Sequence, residues 1–411
     1  MNLNFFKSKK ILYIFFYITL LIGFFLSENS NQGSKYDFII VNKVIQAFSE
    51  DLSGTLNNYY EFEISHFPFY YIFVSQILKF TDSISITKFI LLHINLLLPY
   101  VLFQILILKY NPTNKYLYFL PGILFISPNF RSSSIWGLND NIALIFFGLS
   151  ILFYLKFLSE KKIKKKIIYV LLNSLTLALA AYTRQYYAIF SLFYLYNFFK
   201  NFNVKIIFFY ILANLIFASY AIRSTIFNTN LNYAQNFLTN NYSNNVIFII
   251  TIFIIYLLPI LLNREIFFNF FQYYLKNKII FFSCTMFSFL MSFFFNYSYS
   301  YGGGIIYKII FEYNNYFYFF IFFGSLLIIV YYLLEDYKNN CVLFFCLLMA
   351  FSMSAIYQKY FDPLSIILIF SLFKSTHTQK FIDNLKYNIK YFYSYFIFIY
   401  MGSLIYSFVL R

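Results

Sequence analysis

Residues 138–166 read LNDNIALIFFGLSILFYLKFLSEKKIKKK. An uninterrupted apolar run, Ile142–Tyr154, leads into five lysines within six positions, 161–166. A second apolar run, 166–182, follows at once. About 20 apolar residues are needed for a helix to cross the ~30 Å hydrocarbon layer. Two such runs joined by a lysine-rich turn read as a transmembrane helical hairpin with its turn in the cytoplasm, because basic residues collect on that side of a membrane.

The pattern repeats outward from this hairpin. Apolar runs at about 11–26, 88–108, 116–129, 138–156, 166–182, 186–199, 205–222, 245–262, 279–297, 317–334, 341–356, 361–373 and 390–409 predict 13 spans. With these spans, inner segments hold 21 of the 31 basic residues, and outer segments hold 10 of the 15 acids. The N-terminus is then inside and Arg411 outside. Residues 66–80, HFPFYYIFVSQILKF, would invert that order if they crossed. They read as re-entrant or interfacial; alternatively they cross and one of the shorter runs does not.

Composition agrees. Of 411 residues, 61% are hydrophobic and 11% charged, against about 25% charged in soluble domains. A soluble enzyme, a secreted disulfide scaffold and a disordered chain are excluded. The expectation is an all-α polytopic bundle forming a single domain, 1–411, with a first outer loop at 27–66. The excess of Phe (62), Tyr (43) and Lys over Arg is that of an AT-rich genome. It points to a bacterial inner membrane, with the outer face periplasmic; in a eukaryote that face would be lumenal. The net charge of +16 follows the positive-inside distribution and gives no reason to expect nucleic acid. The three cysteines and three histidines lack metal-ligand spacing.

Ionisable residues beside a bilayer are costly, and they are the first candidates for function. On the outer side these are Asp37; His66, at the end of the same loop; Arg131 and Asp140, flanking a hairpin tip that holds Trp136; Arg184 with Gln185; and Lys359, Tyr360 and Asp362. Each also has a plainer reading. Asp37 fits a solvated loop acid, the arginines fit interfacial anchors, and Asp140 fits an N-cap of the helix that follows it. Glu61 and Glu63 read as solvated, and Gly302-Gly-Gly304 as a flexible turn.

Together these features resemble the GT-C glycosyltransferases, multispanning enzymes that use polyprenyl-phosphate sugars. The similarity rests on an acid (Asp37) in the first outer loop, with an apolar helix (38–48) after it. It rests also on His66-Phe-Pro-Phe-Tyr-Tyr71, which is similar to a family His-Pro-Pro-Leu-Tyr segment, and on Asp140 opening an apolar helix. Thr183-Arg184-Gln185 resembles the Arg-Gln of the dolichyl-phosphate-glucose glucosyltransferase branch. Lys359-Tyr-Phe-Asp-Pro363 resembles a late Arg-Tyr-x-x-Pro signature, with Lys where the family has Arg. A single acid stands at Asp37 where many members have two.

The resemblance implies transfer of a hexose, with inversion, from a polyprenyl-phosphate donor to a glycan, lipid or protein acceptor at the outer face. It implies Asp37 as the base that deprotonates the acceptor and Asp140 as a second catalytic acid. Arg184, Lys359 and Arg131 would clamp the phosphate, with His66, Gln185 and Tyr360 contacting substrate. Mg²⁺ or Mn²⁺ is an optional cofactor on this reading. Two other classes compete: a polysaccharide polymerase, and a flippase or transporter for lipid-linked oligosaccharides. The first tends to carry its large outer loop late in the chain. The second carries repeats, broken helices and midplane charges.

Overall fold

The computed structural model describes residues 3–110, 114–200, 203–227, 241–262, 264–297, 302–311 and 314–409. The described residues are helical almost throughout and contain no β-strand. Among the described residues six helices are long and apolar enough to cross a membrane: Ile84–Lys109, Asn139–Ser159, Ile163–Thr183, Val204–Arg223, Tyr242–Leu261 and Asn315–Ala350. They mark the chain as a multi-pass membrane protein. Arg411 lies outside the described residues.

Several of the expected spans take another form. Residues 116–129 fall in a 3₁₀ helix, Lys115–Ile126, with Pro121 inside it, and then in the start of a new helix. Residues 186–199 divide between a 3₁₀ turn, Gln185–Ile189, and an 11-residue helix. Residues 361–373 contain only the 8-residue helix Leu364–Ser371. At 1.5 Å per residue the last two helices are about 16 and 12 Å long, well short of the hydrocarbon thickness. Hydropathy detects an apolar run but not where its helix breaks.

By packing, the chain divides into two compact units: residues 1–235 with 393–411, and residues 236–392. The sequence reading made no such division. The first boundary adjoins an Asn-rich stretch, 228–245, of which 228–240 lie outside the described residues.

The first unit contains helices α1 (Leu3–Phe25), α2 (Ser34–Glu50), α3 (Leu52–Asn57), α4 (Phe69–Thr81), α5 (Ile84–Asn95), α6 (Leu97–Lys109), α7 (Pro128–Trp136), α8 (Asn139–Ser159), α9 (Ile163–Thr183), α10 (Phe190–Lys200) and α11 (Val204–Phe227). The α8–α9 hairpin is its backbone. Glu160 closes the lysine-rich turn by accepting from the backbone N–H groups of Lys161 and Lys162. Buried Asn173 of α9 donates to Ser150 O of α8 at 2.8 Å, and the Ser150 hydroxyl meets Tyr194 Oη of α10.

Residues 393–409, the end of helix Leu385–Val409, complete this unit. Tyr393 Oη donates to Phe119 O at 2.6 Å, and its ring stacks on Phe16. Farther along, Tyr400 lies under the Arg131 guanidinium and Ser403 donates to Ser30 O.

Helix α7 has clear punctuation. The Ser127 hydroxyl caps it by accepting from Phe130 N at 3.1 Å, and Pro128 occupies its first position. Gly137 ends it in the left-handed region (φ 63°). A Cβ there would come within 2.9 Å of Leu91 Cδ1. Every residue of α7 from Asn129 to Trp136 is buried. The expected hairpin tip is a buried helix, and its polar side chains find partners inside the protein.

In the second unit the central helix is Tyr242–Leu261, with 16 of its 20 residues buried. The helices Lys278–Phe293 and Asn315–Leu333 pack on it. Gly302, Gly303 and Gly304 all have positive φ. Gly303 N donates to Ile356 O at 2.7 Å, and Ile305 N donates to Gln358 Oε1 at 3.0 Å. The run expected as a flexible turn is a docked one that fixes the segment leading to Lys359.

Candidate active site

Four residues singled out from the sequence form one hydrogen-bonded chain in the first unit. Asp140, in the first turn of α8, pairs its Oδ1 with Arg184 Nη2 at 2.7 Å. Arg184 Nη1 lies 2.6 Å from His66 Nε2, and His66 Nδ1 lies 2.9 Å from Gln185 Oε1. Gln185 Nε2 closes the chain by donating to Ser65 O. Three segments more than 40 residues apart in sequence thus meet.

Local structure places each member. The N-cap of α8 is Leu138, and Asp140 makes no capping bond. Its carboxylate serves the ion pair while remaining in the first turn, where the helix dipole favours negative charge. Arg184 is the C-cap of α9, extended (φ −145°, ψ 108°), with its backbone N–H on Ala180 O. That turn sends the side chain away from the helix axis. His66 precedes α4, and Tyr59 Oη holds its carbonyl at 2.8 Å. Asp140 and Arg184 are both buried, and His66 is half-buried.

The donor count assigns protonation states. A guanidinium only donates, so His66 Nε2 accepts and Nδ1 carries the proton given to Gln185. His66 is neutral in this arrangement. The adjacent Tyr70 and Tyr71 are fully buried. Tyr70 Oη donates to Gly137 O at 2.5 Å. Burial holds the Tyr71 phenol well above its ordinary range, with Arg184 opposing that shift and Asp140 and Asp37 adding to it. Tyr71 is therefore a neutral donor within electrostatic reach of both carboxylates.

Asp37 is half-buried in the first turn of α2. A polar seam runs from that turn to Asp140. Asn31 Oδ1 accepts from Ser34 N at 3.0 Å, which starts α2, and Asn31 Nδ2 donates to Asn129 Oδ1 at 2.9 Å. Ser133 Oγ bridges Asn129 Oδ1 (3.3 Å) and Asp140 Oδ2 (3.5 Å). Beside it, Ser132 Oγ meets Ser30 Oγ at 2.9 Å, and Asn141 Nδ2 donates to Ser134 Oγ. Ser132 thus ties α7 to the loop before α2, and Ser133 and Ser134 tie it to the start of α8.

Arg131 stands apart from that chain. Its Nε donates to Glu28 Oε1 at 2.8 Å, and Nη2 donates to Glu28 Oε2 at 2.5 Å and Thr19 O at 2.9 Å. Nη1 donates to Thr19 Oγ1 and Phe125 O. All five N–H groups are engaged, and the group is buried with Glu28. The expectation of a phosphate clamp gives way to a brace between the end of α1 and α7. A Cβ on Gly23 would fall 2.4 Å from Glu28 Oε2 and 2.9 Å from Arg131 Nη2, so glycine leaves the space that the pair fills. Sequence reasoning missed Glu28; its only signal was an acid two residues past the first apolar run.

Lys359 and Tyr360 belong to the second unit. Lys359 Nζ lies 5.3 Å from the Tyr357 ring centre and 5.9 Å from that of Tyr360, which stacks on Phe351. The other histidines have structural partners: His93 Nε2 with Tyr17 Oη at 2.8 Å, and His377 Nε2 with Glu335 Oε1 at 3.1 Å.

Mg²⁺ and Mn²⁺ take several oxygen ligands. Asp140 is already neutralised by Arg184, and among the described residues no three His, Cys, Asp or Glu side chains converge.

No protein-family model, curated protein or solved structure matches the chain.

Proposed function

We propose that the chain is an integral-membrane glycosyltransferase of GT-C type, transferring a hexose from a polyprenyl-phosphate donor to a hydroxyl acceptor. Its setting on this reading is a bacterial inner membrane, with the site facing the periplasm and the remaining expected spans completing the bundle. The observation that carries the reading is the Asp140–Arg184–His66–Gln185 chain, with Asp37 in electrostatic reach through Tyr71.

Asp37 takes the proton from the acceptor hydroxyl as that oxygen attacks the anomeric carbon. The bond from the anomeric carbon to the phosphate oxygen breaks, and the lipid phosphate leaves with the electron pair. Attack opposite the leaving group inverts the configuration. Arg184 stabilises the growing charge on the phosphate. Asp140, His66 and Gln185 are positioning residues that fix the guanidinium, and Tyr71 donates a hydrogen bond without ionising. Lys359, in the second unit, is a separate candidate cation.

The test is transfer in proteoliposomes from a panel of radiolabelled polyprenyl-phosphate sugars to mixed lipid and glycan acceptors, comparing wild type with Asp37→Asn. Transfer by wild type that the variant lacks supports the reading. Movement of a lipid-linked oligosaccharide without transfer would replace it with translocation.

A further inference from the structure

Lys88 is a charge without a counter-charge. It lies in the second turn of α5, half-buried, and its ammonium is ringed by Trp136 of α7 at 4.2 Å, Phe38 of α2 at 4.9 Å and Phe24 of α1 at 5.8 Å from the ring centres. Four helices thus converge on one cation. Among the described residues no carboxylate forms an ion pair with it; Glu28, on the neighbouring loop, is taken by Arg131.

The cage is rigid. Trp136 Nε1 donates to Glu28 O at 2.8 Å, which fixes the indole, and the Phe38 and Trp136 rings are in contact at 5.7 Å. The Lys88 stem passes over Gly137, where a Cβ would lie 3.7 Å from Lys88 Cγ. Aromatic faces attract a cation but leave its charge uncancelled. A half-buried ammonium ringed by aromatic faces and with no ion-pair partner among the described residues therefore favours an anion on its exposed side. Lysine suits phosphate as a point charge.

The surroundings specify what the anion is attached to. Helices α1 and α5 lie side by side through the Phe24–Phe89 and Tyr17–His93 contacts. Beside the cage they expose Ile22 and Phe25 from α1, with Leu26 just after it, and Ile86 and Phe89 from α5. An apolar surface next to an unpaired cation is complementary to an anionic amphiphile.

We infer that Lys88 anchors the phosphate of a long-chain lipid phosphate ester whose chain lies along α1 and α5. The inference rests on the proposed function for identifying that lipid as the sugar donor. Phe38, one of the rings around Lys88, directly follows Asp37 in α2, so the cage and the proposed base draw on the same helix.

The test uses the full chain in detergent, with binding read by native mass spectrometry for a polyprenyl phosphate, the matching polyprenol and inorganic phosphate. Wild type is expected to prefer the lipid phosphate over the polyprenol by about tenfold or more, the size of one charge-assisted hydrogen bond. Lys88→Gln should lose that preference, and Lys88→Arg should recover it. In wild type, the lipid phosphate but not the polyprenol should protect Lys88 from acetylation, a readout that needs no variant to fold. Unchanged preference in Lys88→Gln, or no protection, overturns the anchor. Inorganic phosphate that binds and protects as well as the lipid phosphate overturns the lipid assignment.

The two readings fail separately. A Lys88-dependent preference with no transfer from any sugar donor removes the glycosyltransferase reading alone. Transfer with an unchanged donor KM in Lys88→Gln removes the anchor alone.

Discussion

Arg184 Nη1 meets His66 Nε2 across 2.6 Å, a contact that exists only while the imidazole is neutral. Protonating Nε2 would set two cations against each other. Losing the ring leaves a buried guanidinium N–H without that acceptor, so His66→Phe should lower the melting temperature. An unchanged melting temperature would show that the contact adds nothing to stability.

Asp37 is half-buried and close to Tyr71. Asp37→Asn should lower transfer about 10²- to 10⁴-fold, the usual weight of a positioned general base, with little change in melting temperature. Transfer assays and thermal scans on the same preparation check both halves. An active variant would remove Asp37 from the mechanism.

The buried Asp140–Arg184 pair carries a stability cost that can be measured. Removing one partner of such a pair costs about 3–5 kcal/mol, because the other charge is left uncompensated. Asp140→Asn and Arg184→Gln should each show a loss of this order. The double variant should lose less than the sum of the two. Denaturant unfolding of the four forms gives the coupling, and additive losses would mean that the pair is not a unit.

Arg131 and Glu28 should behave as a brace. Glu28→Gln or Arg131→Met should destabilise the protein by several kcal/mol, while the fraction that remains folded keeps its donor KM. Gly23→Ala should act in the same direction, since its Cβ would enter the space held by the pair. A raised donor KM in Arg131→Met without lost stability would restore the substrate-clamp role.

Much of this was legible in the sequence. The lysine cluster at 161–166 announced the turn between α8 and α9, since charge and hydropathy are properties of consecutive residues. His66, Asp140, Arg184 and Gln185 stood out as polar residues against apolar runs, and the helix after Asp37 was expected. What escaped depends on partners distant in sequence. Glu28 went unremarked because its partner Arg131 is 103 residues away. Ser132, Ser133 and Ser134 carried no signal of their own, yet each hydroxyl is used internally. Lys88 vanished into the apolar run that it begins.

Residues 393–409 have a consequence for biogenesis. The Tyr393 anchor to Phe119, the Tyr400 ring against Arg131 and the Ser403 bond to Ser30 all belong to the first unit, yet the ribosome makes them only after residues 236–392. The first unit must therefore wait, inserted but unsealed, while the intervening 157 residues emerge. Its Glu28–Arg131 brace spends that interval without its aromatic lid, which makes the period of translation itself the time when this half of the protein most needs protection.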